Sequence, residues 1–237
     1  LNNVDSSRDE FGSNVSHELK TPMTSMKVLA DSLLAQENIP EEIYKDFLQD
    51  IVTEVDRENQ IINNLLALVK TDRKNPVLNI TTVNINELVE HTLKRLRPIA
   101  VNKSVEMVFE SVRPVAAQID EMQFTLALNN LVENAIKYNK EHGYVRVSVN
   151  ADHKYFYIKI TDSGIGIPPE YIDKVFERFY RVDKARSRQT GGTGLGLAIT
   201  KNIILLHKGT IKLYSKENEG TTFTVRVPLN YVGGMAV

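Results

Sequence analysis

Residues 129–139 read NNLVENAIKYN, overlapping a stretch from 120 to 138 whose apolar spacing predicts a helix. Leu128, Leu131, Val132 and Ile136 fall toward the side a core would take. Asn130, Asn134 and Lys137 stand at i, i+4 and i+7, so they share a different face. A row of amides with a lysine suits a phosphate carrying Mg2+, since that ion prefers oxygen donors and keeps several of its waters. A solvated polar face would carry the same residues. The stretch therefore acquires meaning only from its neighbours.

Two glycine-rich stretches follow it. ITDSGIGIP (160–168) leaves an expected strand with Asp162, then Gly164 and Gly166. Glycines one residue apart let the backbone turn sharply and let a planar or anionic ligand approach, although a plain turn off a strand reads the same way. GGTGLGLAIT (191–200) runs into an expected helix, where free N–H groups and the positive end of the helix dipole suit phosphate. A flexible connector is the bland reading of that stretch. The spacings GxxxxGK[ST] and GxGxxG of the common phosphate loops are both absent.

Around these stretches, β-rich runs alternate with helices. VEMVFES, YVRVSVNA, YFYIKIT and TTFTVRVPL read as strands, and residues near 84–97, 120–138 and 194–207 read as helices. The short gaps, such as the ADHK that splits 144–161, predict antiparallel hairpins. The pattern predicts an α+β sandwich with sheet on one side and helices on the other.

The first seventy residues differ in texture. Phe11, Val15, Leu19, Pro22, Met26, Leu29 and Leu33 form one helical stripe, and Phe47, Ile51, Val55, Ile62, Leu65 and Val69 form a second. QENIPEE (36–42) lies between them as a turn, which makes an antiparallel helical hairpin. Two helices alone cannot bury both stripes, so pairing with a second copy into a four-helix bundle is expected; packing on the rest of the chain is the alternative. TDRKNP (71–76) reads as a linker, dividing the chain into residues 1–72 and 77–237.

Within the first stripe, His17 lies two residues from both Val15 and Leu19, about 200° around the helix at ~100° per residue. It is therefore expected on the exposed side. A neutral imidazole is nucleophilic near pH 7, and Glu18 beside it is placed to take a proton or to be an ordinary surface acid. Pro22 removes a helical hydrogen bond and crowds the carbonyl of Glu18, so a bend is expected within a turn of His17.

Composition narrows the class. The chain of 237 residues carries 29 basic and 30 acidic side chains, a balance that gives no support to nucleic-acid or polybasic membrane binding. The absence of cysteine excludes disulfides and thiolate metal sites and fits a cytoplasmic setting. No run reaches the roughly 20 apolar residues of a membrane span. A first residue of Leu1 is expected of a fragment whose membrane anchor, if any, lies upstream.

Together these motifs resemble the sensor histidine kinases of two-component signalling. SHELKTP (16–22) is similar to their phosphoacceptor box, NLVENAIKY to the N box and DSGIGI to the first glycine box. FERFYR (176–181) is similar to the F box and GGTGLGL to the second glycine box. Lys20 and Met23 stand where arginine and leucine are more usual; charge and bulk are kept, but not a bidentate contact. The resemblance implies a dimerisation and phosphoacceptor hairpin, then an ATP-binding sandwich of the Bergerat type.

It further implies that Asp162 hydrogen-bonds the adenine amino group while Gly164 and Gly166 let the base sit close. Asn134 would supply oxygen to Mg2+ with help from Asn130, Lys137 and Arg178 would meet phosphate charge, and Tyr138 would flank the nucleotide. Residues 182–193 would form an ATP lid bearing Lys184, Arg186 and Arg188. Gly192, Thr193, Gly194, Leu195 and Gly196 would receive the phosphates. His17 would be phosphorylated from ATP and pass the group to an aspartate of a response regulator, with Glu18 and Thr21 serving the reverse, dephosphorylating duty. One rival is a gyrase-type ATPase that drives conformational change without phosphorylating histidine. It needs a glutamate four residues before Asn134, where this chain has Asn130. The other rival, a docking module with a decayed nucleotide site, is opposed by the intact Asp162, Asn134 and glycines.

Overall fold

The computed structural model describes residues 2–72, 77–182 and 192–233, with side chains from Phe11 onward. The chain divides into two compact units, one built on Leu1–Ala67, the other on Leu68–Arg186 with Gly194–Val237. Most of the expected linker, together with Lys184, Arg186 and Arg188, lies outside the described residues.

The first unit holds α1 (Asn2–Leu34) and most of α2 (Glu41–Thr71). Helix α1 runs through Pro22 as a single assigned element. Its expected stripe is the inward one: Pro22 is buried and Phe11, Val15, Leu19, Met26, Leu29 and Leu33 are half-buried. Helix α2 corrects the sequence reading. Phe47, Ile51 and Leu65 face inward with the buried Ile61 and Leu68, but Val55, Ile62 and Val69 are exposed. These three belong to a second seam one residue out of step: Leu48, Val52, Val55, Asn59, Ile62, Leu66, Val69. Its steps of three and four give the 3.5-residue period of a helix–helix interface.

In the second unit, β1 (Ile80–Asn84) pairs antiparallel with β3 (Ala116–Asp120). A five-stranded sheet is ordered β2 (Glu106–Ser111), β4 (Tyr144–Ala151), β5 (Tyr155–Asp162), β7 (Gly220–Pro228), β6 (Thr210–Lys216). The antiparallel expectation holds for β4–β5–β7–β6, whereas β2 and β4 are parallel. A parallel neighbour needs a long crossover, supplied here by β3 and helix α4 (Glu121–Lys137).

Period-two alternation sends Val145, Val147 and Val149, Phe156, Ile158 and Ile160, and Phe223, Val225 and Val227 into one core. They meet the buried residues of α3 (Ile85–Asn102) and α4, and Ile204 of α5 (Gly196–Leu206). Arg146, Lys159 and Arg226 alternate to the other, exposed face. The result is a two-layer sandwich of sheet and helices.

Candidate nucleotide-binding and phosphoacceptor sites

Helix α4 begins where Asp120 caps it. The Asp120 Oδ1 accepts from Gln123 N at 3.1 Å and its Oδ2 from Asn79 N at 2.9 Å, and Glu121 complements the helix dipole. This start, with Leu131, Val132, Ala135 and Ile136 buried, turns the polar face of the helix outward. Asn134 lies half-buried on that face, and its amide makes no hydrogen bond among the described residues. Asn130 faces the start of α5. Its Nδ2 donates to Gly196 O at 3.1 Å and reaches Thr200 Oγ1 at 3.4 Å, holding the glycine-rich start of α5 against α4. That helix start has no side-chain cap, so its first N–H groups are of the kind that bind anions.

Asp162 ends β5 with only 8% of its surface exposed. Its Oδ1 accepts from Gly164 N at 2.8 Å and Thr221 N at 3.2 Å, while Oδ2 has no partner among the described residues. Burial pushes this carboxyl up to about 6, against the pull of the two backbone N–H groups. The result is a desolvated acceptor with one oxygen fixed and one to offer.

Glycine is needed beside it for two reasons. A Cβ on Gly164 would sit 2.4 Å from Tyr138 O, so this loop lies directly against the end of α4. Gly166 has φ +69°, and a Cβ there would meet Lys216 O at 2.0 Å. The Lys137 ammonium lies over the Tyr138 ring, 5.4 Å from its centroid. One turn back, burial raises the Glu133 carboxyl, with Lys137 and Arg95 pulling it down. Arg178 donates to Asp72 Oδ2 at 2.5 Å, and Asn202 Nδ2 reaches Asp72 Oδ1 at 3.2 Å, so its guanidinium is engaged within the chain. Gly194 has φ +71° and its carbonyl accepts from Phe179 N at 2.9 Å.

In the first unit, His17 is exposed, as its phase on α1 predicts. Thr21, also exposed, donates from Oγ1 to His17 O at 3.0 Å, and Glu18 is half-buried. Thr193 falls in this unit too, and its Oγ1 accepts from Asn64 Nδ2 at 3.1 Å.

Residues 119–231 match the family described as histidine kinase-, DNA gyrase B- and HSP90-like ATPases, and residues 7–74 match the His Kinase A (phospho-acceptor) domain. The sensor histidine kinase WalK of Bacillus subtilis is 40% identical over 229 residues, which cover 95% of this chain and 37% of WalK. The chain belongs to the sensor histidine kinases. It spans 37% of WalK and 58% of the sensor-like histidine kinase SenX3 of Mycolicibacterium smegmatis. Acinetobacter baumannii histidine kinase AdeS shares the fold with a TM-score of 0.74 at 24% identity, over 90% of this chain and 98% of that one. The histidine kinase ThkA, solved in complex with the response regulator TrrA, does so with a TM-score of 0.75 at 24% identity, over 93% and 61%.

Two residues of this kinase chain escaped the sequence reading. Asn139, the last letter of NNLVENAIKYN, is buried and fully hydrogen-bonded, and Ser163 is one of its partners. The signal was an amide falling where the helix must end. Periodicity is blind to that position.

Proposed function

We propose that this chain transfers the γ-phosphoryl group of ATP to His17 and then to an aspartate on a response-regulator receiver domain. The observation that carries the reading is Asp162. A buried carboxylate with one oxygen held by backbone N–H groups and the other open is an acceptor for the exocyclic amine of adenine. Gly164 and Gly166 give the base its room, and Tyr138 flanks it.

The donor set beside it fits a nucleotide-borne cation. Asn134 offers a side-chain oxygen with no partner among the described residues, and no cluster of three His, Cys, Asp or Glu occurs among them to hold a metal without the nucleotide. Mg2+ so placed would neutralise charge on the phosphates. Lys137 adds a positive charge on the same side, and the uncapped start of α5 adds N–H donors at Gly196. Asn130, with Gly194 and Leu195, shapes that start, and Arg178, Gly192 and Thr193 complete the phosphate-binding set.

In the transfer, a neutral ring nitrogen of His17 takes the γ-phosphorus in line, the bond to the β–γ bridging oxygen breaks, and ADP leaves. Glu18 supports the imidazole, and Thr21 with Glu18 would serve the reverse attack of water on the phosphorylated partner. ATP as donor goes with a cytoplasmic setting. The gyrase-type alternative is disfavoured because Asn130 stands where that chemistry needs a glutamate and spends its amide on Gly196.

The division into a phosphoacceptor part, 1–72, and a catalytic part, 77–237, is part of the same reading. So is a homodimer through the hairpin: the seam Leu48, Val52, Val55, Ile62, Leu66 and Val69 exposes apolar side chains at the spacing a second copy would cover. Incubation with γ-labelled ATP tests the transfer. Label that is acid-labile and absent from His17→Ala supports it; ATP turnover with unlabelled protein sinks it.

A further inference from the structure

Asn139 is the polar side chain on which the nucleotide site is hung. It is 7% exposed, and all four of its hydrogen-bonding capacities are used. Nδ2 donates to Ala135 O and to Tyr144 O, each at 2.9 Å. Oδ1 accepts from Lys140 N at 2.9 Å and from Ser163 Oγ at 3.1 Å. These partners come from three separate pieces of chain: the last turn of α4, the loop into β4, and the residue that follows Asp162.

The knot is tight. Ser163 Oγ accepts from Tyr144 N at 2.8 Å, Ser163 N donates to Tyr144 O at 3.2 Å, and Ile165 N donates to Tyr138 O at 3.1 Å. A Cβ on Gly143 would lie 2.1 Å from Asn139 Oδ1 and 2.7 Å from Ser163 Oγ, so nothing larger than glycine fits beside it. Among the described residues, no hydrogen bond joins Asn139 to Asp162 or to a residue of the phosphate set. It joins the helix end that carries Lys137 and Tyr138 to the loop that carries Asp162 and Gly164.

We propose that Asn139 is a positioning residue for base recognition, fixing the Asp162 loop against the end of α4 so that the open carboxylate oxygen meets the purine amino group. The proposal rests on the reading that Asp162 receives that group. Loss of the knot then damages the contact to the base and spares the phosphate contacts made by Asn134 and the start of α5.

The test is a ratio of affinities. ADP carries a 6-amino group and inosine diphosphate a 6-oxo group, and a site built to hydrogen-bond one group discriminates against an analogue lacking it. Titration of the whole chain with each nucleotide should show a preference for ADP. Asn139→Ala should lower that preference roughly tenfold by weakening ADP alone, and Ser163→Ala, which removes a single partner, roughly threefold. Ser163→Ala keeps the other three Asn139 bonds and decides the matter if Asn139→Ala does not fold. Equal weakening of both nucleotides in the folded variants would assign Asn139 a structural role and overturn the proposal. A wild-type chain with no preference for ADP would instead refute the adenine reading of Asp162, and the proposal with it.

Discussion

Two histidines of this chain have opposite fates. His17 stands exposed on a two-helix unit, whereas His207 lies 1% exposed at the end of α5. Its Nδ1–H donates to Ile203 O at 2.7 Å and its Nε2 accepts from Asp120 N at 3.0 Å, with Phe124 edge-on at 5.6 Å. Burial lowers the pKa of His207, against the opposing influence of the Ile203 carbonyl and Asp120. The core spends both nitrogens on structure, and the hairpin leaves its imidazole exposed. A histidine's role here is set by what else its nitrogens hold.

The largest effect should come from breaking the buried one. His207→Ala orphans Asp120 N where β3 turns into α4 and opens a cavity beside Phe124. The expected cost is about 3 kcal/mol of folding free energy in denaturant titration. His17→Ala, an exposed change, should stay within about 0.5 kcal/mol while abolishing phosphorylation. Comparable stability losses in the two variants would erase the distinction. The pH sign also follows. A neutral-buried histidine has a lowered folded pKa, so the unfolded chain binds more protons below its ordinary value, and acidification removes stability that His207 contributes at neutral pH.

Asp162 gives the next effect, with the opposite sign. Its carboxyl is raised from 3.8 to about 6, so the folded chain binds more protons between those values. Stability from this group falls as pH rises through that window, and the penalty is fully present above it, at most about 3 kcal/mol. Asp162→Asn keeps an oxygen for Gly164 N and Thr221 N but removes the buried charge. It should raise the melting temperature of nucleotide-free protein at pH 7.5, lose that gain near pH 4, and bind ADP far more weakly, since an NH2 now faces the adenine amine. A destabilised variant at pH 7.5 would show that the charge costs the fold nothing.

What the sequence disclosed follows the same divide. Helices α3, α4 and α5, strands β2, β4, β5 and β7, and the outward phase of His17 are consequences of local periodicity, and they were legible. The strands β1, β3 and β6 were not. Ile80–Asn84 and Ala116–Asp120 are five residues each, too short for alternation to stand out, and Thr210–Lys216 fully buries only Ser215. The parallel pairing of β2 with β4 is a long-range fact that no local pattern encodes. In the site, Asp162 and the glycines announced themselves as a motif, but Asn139 and the engagement of Asn130 with Gly196 depend on segments that meet only after folding. On α2, both seams have the right period, and sequence spacing alone cannot say which one faces inward.

That second seam supplies the smallest prediction. Among Leu48, Val52, Val55, Ile62, Leu66 and Val69, position 59 is an exposed asparagine. A lone asparagine in an apolar seam fixes register and partner number at a cost in stability, because only one alignment pairs its amide. Asn59→Leu should therefore tighten self-association, lowering the dimer dissociation constant about tenfold by sedimentation, for roughly 1–2 kcal/mol of added apolar burial. Disulfide-trapping between cysteines introduced along the seam should report one register in the wild type and several in the variant. An unchanged dissociation constant would place the seam outside the interface between copies. The contrast would then sharpen in the other direction, with the exposed apolar face of α2 left to a protein other than a second copy.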